Sequence, residues 1–214
     1  MPCRLCEKRK PKRHCPAVSG EICTVCCGEK REVTLSCPLD CPYLVESRER
    51  EFAGRLDPST FPYKEITVES RDLQQNSTLL IVAGAALFEA ANAEPGAYDS
   101  DVQAALDSLI RTQKTMDSGI YYESQPGTAP ARHLAAALRQ AIEEFRKNET
   151  ERAGFTRTRD KDVLTILVFL YRLALDRDNL KPRGRAFVSF LADHFQAVGA
   201  GAGRTASPLI LPGV

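Results

Sequence analysis

A chain of 214 residues corresponds to one or two domains. With 43% hydrophobic and 27% charged residues and a net charge of +1, a packed core is within reach, and attraction of the whole protein to nucleic acid is excluded as a premise. Tryptophan is absent and aromatics are 7%, so the core must be aliphatic, while 13 Gly and 13 Pro exclude collagen-like and low-complexity classes.

The chain opens on its cysteines. All eight, Cys3, Cys6, Cys15, Cys23, Cys26, Cys27, Cys37 and Cys41, fall in the first 41 residues. A disulfide scaffold needs an exporting context, and the opening Met1 to Lys8 lacks the apolar stretch of a signal peptide. The longest apolar run, Leu79 to Phe88, is ten residues, roughly half of what a bilayer-spanning helix needs. A reducing, cytoplasmic setting without a membrane anchor is the expectation. There, thiols spaced Cys-x2-Cys (Cys3/Cys6 and Cys23/Cys26) and Cys-x3-Cys (Cys37/Cys41) are metal ligands or redox pairs. The βαβ context of a thioredoxin-like pair is missing, and the spacing of a bacterial-ferredoxin cluster is not matched. Eight thiolates suffice for two tetrahedral Zn2+ ions.

The ligands read as four clusters: Cys3/Cys6, His14-Cys15, Cys23/Cys26/Cys27 and Cys37/Cys41. Polar and apolar residues alternate over Arg31 to Ser36, which predicts a short strand. Leu44 to Phe52 predicts a helix, with Asp40 near its start to complement the helix dipole. Knuckle, hairpin and ligand-bearing helix resemble a treble-clef finger. Alternating clusters also resemble the cross-brace fingers of RING, B-box and HIT-type domains, in which clusters one and three share one ion and two and four the other. That resemblance covers about a fifth of the chain and implies Cys3, Cys6, Cys23 and Cys26 on one ion, and Cys15, Cys27, Cys37 and Cys41 on the other. A rival partition joins Cys23 and Cys26 to Cys37 and Cys41, leaving Cys3, Cys6, Cys15 and Cys27 together. Vicinal Cys26-Cys27 departs from the usual cross-brace pattern, and His14 competes as a ligand but is expected to be an exposed neighbour.

Zinc enclosed by four thiolates has no open position for water, so both ions are expected to be structural. They would supply folding free energy that a segment of some 40 residues cannot gain from burial, on the order of 10 kcal/mol. The basic run Lys8, Arg9, Lys10, Lys12 and Arg13 is the candidate contact for nucleic acid or a partner protein. It also has a plainer role. Residues 1 to 41 carry eight basic and five acidic side chains, and two Zn(Cys)4 centres would turn that surplus to roughly −1, so the run can compensate thiolate charge.

Gly54 to Lys64 is punctuated by proline, and a linker is expected over 54–76, between a cysteine-rich domain at 1–53 and a helical domain at 77–197. Ile66 to Val68 is a short strand or an extended entry. Five helices are predicted. Leu79, Leu80, Ala83, Ala86, Leu87 and Ala90 share one face before Pro95-Gly96; Ser100 to Gln103 reads as a capping box ahead of Val102, Leu106, Leu109 and Ile110. Pro130 opens a helix carrying Leu134, Leu138, Ala141, Ile142 and Phe145, and Asp160 caps another carrying Val163, Leu164, Leu167, Leu170, Tyr171 and Ala174. Phe187, Phe190, Leu191 and Phe195 mark the fifth. The similarity of 104–110 to 136–142, at an offset near a tetratricopeptide period, lacks that repeat's signature and follows from alanine-rich composition. Glu143 to Asp162 reads as a helix end and solvated loop, and 198–214 as a disordered tail whose Gly-x-Gly-x-Gly follows a helix and so is no phosphate loop.

The expected fold is mainly α: a small treble-clef-like finger with two zinc ions, then a helical bundle or short helical array. No catalytic motif is present, and His133, His194 and Glu143-Glu144 read as surface or boundary groups. A non-enzymatic, zinc-binding protein-interaction or regulatory adaptor, working on another protein and on no small-molecule substrate, is therefore expected. The alternatives are a nucleic-acid-binding regulator using Lys8 to Arg13, and an enzyme with its site in the helical domain.

Overall fold

The computed structural model describes residues 2–51, 60–117 and 123–195. The expected tail at 198–214, and residues 54–59 of the expected linker, lie outside them. By packing, the chain divides into two compact units, Met1–Arg55 with Asp178–Ala186, and Leu56–Arg177 with Phe187–Val214. The first unit is thus built from two separate stretches of sequence.

In the first unit, β1 (Arg13–Cys15) pairs antiparallel with β2 (Gly20–Ile22), with His14 opposite Glu21. The reversal is a 3-10 turn over Pro16–Val18 followed by Ser19 at φ 47°, which lets three-residue strands close into a hairpin. Two helices follow, α1 (Thr24–Lys30) and α2 (Pro42–Glu51). The strand expected at Arg31 to Ser36 does not form. A single bridge between Arg31 and Leu35 replaces it, because Glu32 takes φ 54° and turns the chain out of extended conformation. What this unit buries is mostly sulfur: Cys3, Cys15, Cys23, Cys26, Cys27, Cys37 and Cys41 cluster with Ile22, Leu35 and Leu44.

The second unit is helical: α3 (Ser70–Gln75), α4 (Ser77–Ala93), α5 (Asp99–Asp117), α6 (Ala129–Ala153), α7 (Asp160–Arg177) and α8 (Ala186–Phe195). Helix α4 packs on α6 and α7, and α5 on the same two, so the four long helices form a bundle around Leu79, Leu87, Leu106, Ile110, Leu134, Leu138, Ile166 and Leu170. The five helices predicted from periodicity are α4 to α8. Helix α3 lies inside the stretch expected to link the domains and buries Leu73. Ahead of it, the Arg172 guanidinium donates to the carbonyls of Pro62, Tyr63 and Ile66, and Ile66 to Val68 run without strand pairing.

Two helix starts differ from expectation. Ser100 is inside α5, at whose start the Tyr98 N–H donates to Asp101 Oδ2 at 3.0 Å. Asp99 serves a different helix. Buried, it accepts from the N–H groups of Phe187 and Val188 at 3.0 and 3.1 Å, satisfying the start of α8 from a distant part of the chain. Asp160 is the first residue of α7 rather than its cap, and Asp162 accepts from the Arg159 N–H at 2.9 Å. Gly154, at φ 78°, ends α6 in the left-handed conformation that suits glycine.

Candidate metal centre

The site assembles from three local structures. Cys3 and Cys6 sit on a turn in which Glu7 adopts φ 53° and donates its N–H to the Cys3 carbonyl at 2.8 Å. The hairpin then carries the chain back, fastened by Arg4 N–H to the Glu21 carbonyl and Lys12 N–H to the Ile22 carbonyl. Cys23 is the residue before α1 and its sulfur accepts from the Cys26 N–H at 3.4 Å, so the first helical turn presents Cys23 and Cys26 together. Arg4 lies across Gly20, where a Cβ would come within 2.6 Å of its Cδ and displace the arginine side chain.

The outcome is a tetrad. The sulfurs of Cys3, Cys6, Cys23 and Cys26 lie within 4.8 Å of one another. Tetrahedral Zn–S bonds of about 2.3 Å place sulfurs about 3.8 Å apart, so the four fit one ion with little adjustment. This joins the first and third clusters of the sequence, and separates Cys23 and Cys26 from Cys37 and Cys41, against the rival partition.

The electrostatics suit a divalent cation. Burial raises the Cys3 thiol, but N–H groups of Cys23, Cys6 and Leu5 outweigh it and bring it down to about 6. The Cys23 N–H to Cys3 sulfur contact is 3.2 Å. Backbone N–H groups of Lys8 and Arg9 lower Cys6 in the same way. Burial, then the neighbouring sulfurs, push Cys26 up to about 12. Four sulfurs this close cannot all ionise without a cation among them, and a bound Zn2+ ionises them together.

Arginines provide an outer layer. The Arg9 guanidinium donates to the Cys23 sulfur, which raises its own pKa. Arg13 donates to the Cys27 sulfur at 3.4 Å and lies over the Tyr43 ring, and Arg31 reaches the same sulfur at 3.6 Å. Two of the five basic residues of the candidate contact run therefore face thiols. Lys8, Arg9, Lys10 and Lys12 are exposed, and Arg13 is half-buried.

Cys15, Cys27, Cys37 and Cys41 are all buried, and Cys15 and Cys41 are electrostatic neighbours of Cys37. Among the described residues their sulfurs do not close to the spacing of the tetrad. His14 stays outside the tetrad, with Nδ1 3.3 Å from Glu21 across the hairpin. In the helical unit His133 pairs with Glu94 at 3.0 Å, and His194 Nδ1 lies 2.9 Å from the Phe190 carbonyl oxygen. No helix among the described residues is long and apolar enough to cross a membrane.

Reasoning on sequence missed Glu32. Its carboxylate is fully buried and draws in Arg48, Asn179, Lys181 and Arg185, most of them some 150 positions away along the chain. No spacing pattern announces such a residue; the basic string Lys181 to Arg185 between two helices was the available signal.

Comparison with known proteins adds no family to this description: no family model, no curated protein and no solved structure matches the chain.

Proposed function

We propose that this chain is a structural-zinc protein, non-enzymatic, that serves as a protein-interaction or regulatory adaptor. The observation that carries the proposal is the tetrad Cys3, Cys6, Cys23 and Cys26. Its order of knuckle, hairpin and helix start supports a treble-clef type of finger. With Cys15, Cys27, Cys37 and Cys41 on a second ion, the pattern becomes that of a cross-brace module with two zinc ions, and the burial of those four in one core with the tetrad supports it. Four thiolates around each ion leave no position for a reacting water, which favours a structural over a catalytic role.

The competing reading, nucleic-acid binding through Lys8 to Arg13, loses weight because Arg13, half-buried, is engaged by the Cys27 sulfur and the Tyr43 ring. Metal analysis of the purified chain tests the leading reading. Two zinc ions per chain are expected, with one lost in Cys6→Ser and the other in Cys41→Ser; Co2+ in place of zinc should give the intense charge-transfer absorption of thiolate ligation. A chain without bound metal defeats it. Nucleic-acid binding that falls steeply with salt and vanishes when Lys8, Lys10 and Lys12 are neutralised would favour the alternative instead.

A further inference from the structure

The helical unit holds one stretch of the chain as a groove holds a peptide. Residues 61–69 belong to no helix or strand, and side chains of α5 and α7 grip this strap. Arg172 on α7 takes its backbone: Nη2 donates to the Tyr63 and Ile66 carbonyls at 2.7 and 3.0 Å, and Nε to the Pro62 carbonyl at 3.4 Å. Asp107 on α5 accepts the Tyr63 hydroxyl. Lys114, two turns further along α5, pairs with Glu65 and lies 5.2 Å from the centre of the Tyr63 ring. The Tyr171 ring of α7 meets the Tyr63 ring at 6.0 Å between centroids, tilted by 58°.

Little apolar burial holds the strap. Phe61, Pro62, Tyr63, Ile66 and Val68 are only half-buried, and Lys64, Glu65, Thr67 and Glu69 are exposed, whereas α5 and α7 bury Leu106, Ile110, Ile166 and Leu170 almost completely. Polar bonds and ring contacts therefore fix it, and bonds open to solvent are those that local opening breaks first. Tyr63 also stands at φ 58°, a conformation that costs a residue with a Cβ about 1–2 kcal/mol and that clusters at ligand clamps and switch segments. Release of the strap is tolerable on α5, because Asp107 keeps Arg111 at 2.8 Å. On α7 it is not. Arg172, half-buried, would lose its three carbonyl acceptors, and an unsatisfied guanidinium there favours another peptide backbone in the strap's place.

We infer that Asp107, Lys114, Tyr171 and Arg172 form a peptide-binding groove for an extended segment of a partner protein in which a tyrosine is followed two residues later by a carboxylate, and that the strap occupies this groove in cis. The division of labour is that of peptide recognition, in which main-chain bonds give affinity and side-chain contacts give specificity. Arg172 binds carbonyls, which every peptide offers, while Asp107 selects a phenol hydroxyl and Lys114 a carboxylate. A tethered ligand competes at an effective concentration set by its linker, so a partner binds at full strength only when the strap is loosened. The groove lies in the helical unit and does not depend on the metal reading; a metal count and a peptide titration on one sample succeed or fail separately.

A fluorescein-labelled peptide with the sequence of residues 60–69, titrated against the whole protein by fluorescence anisotropy, tests this. Tyr63→Ala combined with Glu65→Ala removes the strap's two side-chain holds and leaves the groove intact. That chain should bind the peptide at least about tenfold more tightly than the parent, whose own strap competes. Adding Lys114→Glu to it should abolish binding of this peptide and permit binding of a peptide carrying Glu65→Lys. Tyr63→Phe removes only the hydroxyl bond and should bind more tightly than the parent and less tightly than the double variant; it decides the matter if the double variant fails to fold. Equal binding by parent and variants, no binding by any folded chain at about 1 mM peptide, or binding indifferent to Lys114→Glu would overturn the inference.

Discussion

The two units solve the same problem with different materials. Of the twelve largest fully buried side chains, only Ile22 and Leu44 belong to the first unit, and the other ten, from Leu79 to Phe195, fill the helical one. Burying a large apolar side chain contributes roughly 1.5–3 kcal/mol, so the helical unit can stand on hydrophobic burial whereas the cysteine-rich unit cannot. In the first unit sulfur occupies the interior that aliphatic carbon occupies in the second. On the proposed reading, stability in one part of this chain is a matter of ligand supply, and in the other a matter of shape.

Chelation is the hardest blow to that contrast. Removing zinc should withdraw on the order of 10 kcal/mol from the first unit and little from the second. Hydrogen exchange should then lose protection at β1, β2 and α1, including the Lys12 and Cys27 amides, while α4, α5 and α7 retain it. Retained protection over residues 12–30 without metal would show a core that needs no ion.

The converse blow strikes shape alone. The ring of Phe195 lies against Gly84 on α4, where a Cβ would stand 2.4 Å from Cδ1. Gly84→Ala must therefore displace the buried Phe195 ring, and should lower stability of the helical unit by about 1–3 kcal/mol, the usual cost of overpacking. Zinc content should not change. Thermal unfolding and metal analysis on one sample check both halves, and a zinc loss would blur the division between ligand-held and shape-held units.

A milder probe concerns caps. Thr128 Oγ1 accepts the Ala131 N–H at 3.3 Å at the start of α6 and donates to Asp101 Oδ1 at 2.6 Å. Thr128→Ala removes both bonds and should cost about 1–2 kcal/mol in denaturant unfolding. An unchanged midpoint would mean that the bundle holds α6 without its cap.

The same contrast explains what could be read from sequence. Helices α4 to α8 follow from periodicity because each repeats its apolar face over several turns: Val102, Leu106, Leu109 and Ile110 are buried as the spacing of α5 predicts. The tetrad was legible because Cys-x2-Cys is itself a geometric instruction, with the second amide returning to the first sulfur. The hairpin of β1 and β2 was not, since three-residue strands broken by Pro16 carry no alternation to detect. Glu32 looked like the polar member of a strand, and its partners Asn179 and Arg185 lie too far along the chain for any local pattern to find. Ser100 resembled a cap more than Asp99 did, yet Asp99 caps α8, a tertiary bond that overrides the local signal. Local chemistry was readable; polar bonds between distant segments were not.

The smallest expected effect is one of pH, and it belongs to the helical unit. Tyr63 stands at φ 58°, held by Arg172 at its carbonyl, and its hydroxyl donates to Asp107 Oδ1. Burial, and then the carboxylate that accepts its proton, push the Tyr63 phenol up to about 12. An unfolded tyrosine ionises near pH 10, so the phenol's contribution is complete below that value, and it fades as pH rises toward the folded value. Tyr63 is only partly buried, and solvent screening keeps the effect modest. Stability should therefore fall between about pH 10 and 12, and Tyr63→Phe should remove that part of the slope, leaving a chain less stable at neutral pH but flatter in alkali. Denaturant unfolding across that range, beside an ultraviolet titration of the two proteins, measures it. The proposed division of the two units is probed once more here, because the alkaline slope should persist in chelated protein if the helical unit stands alone. A slope that disappears with the metal would instead place Tyr63 under the control of the first unit.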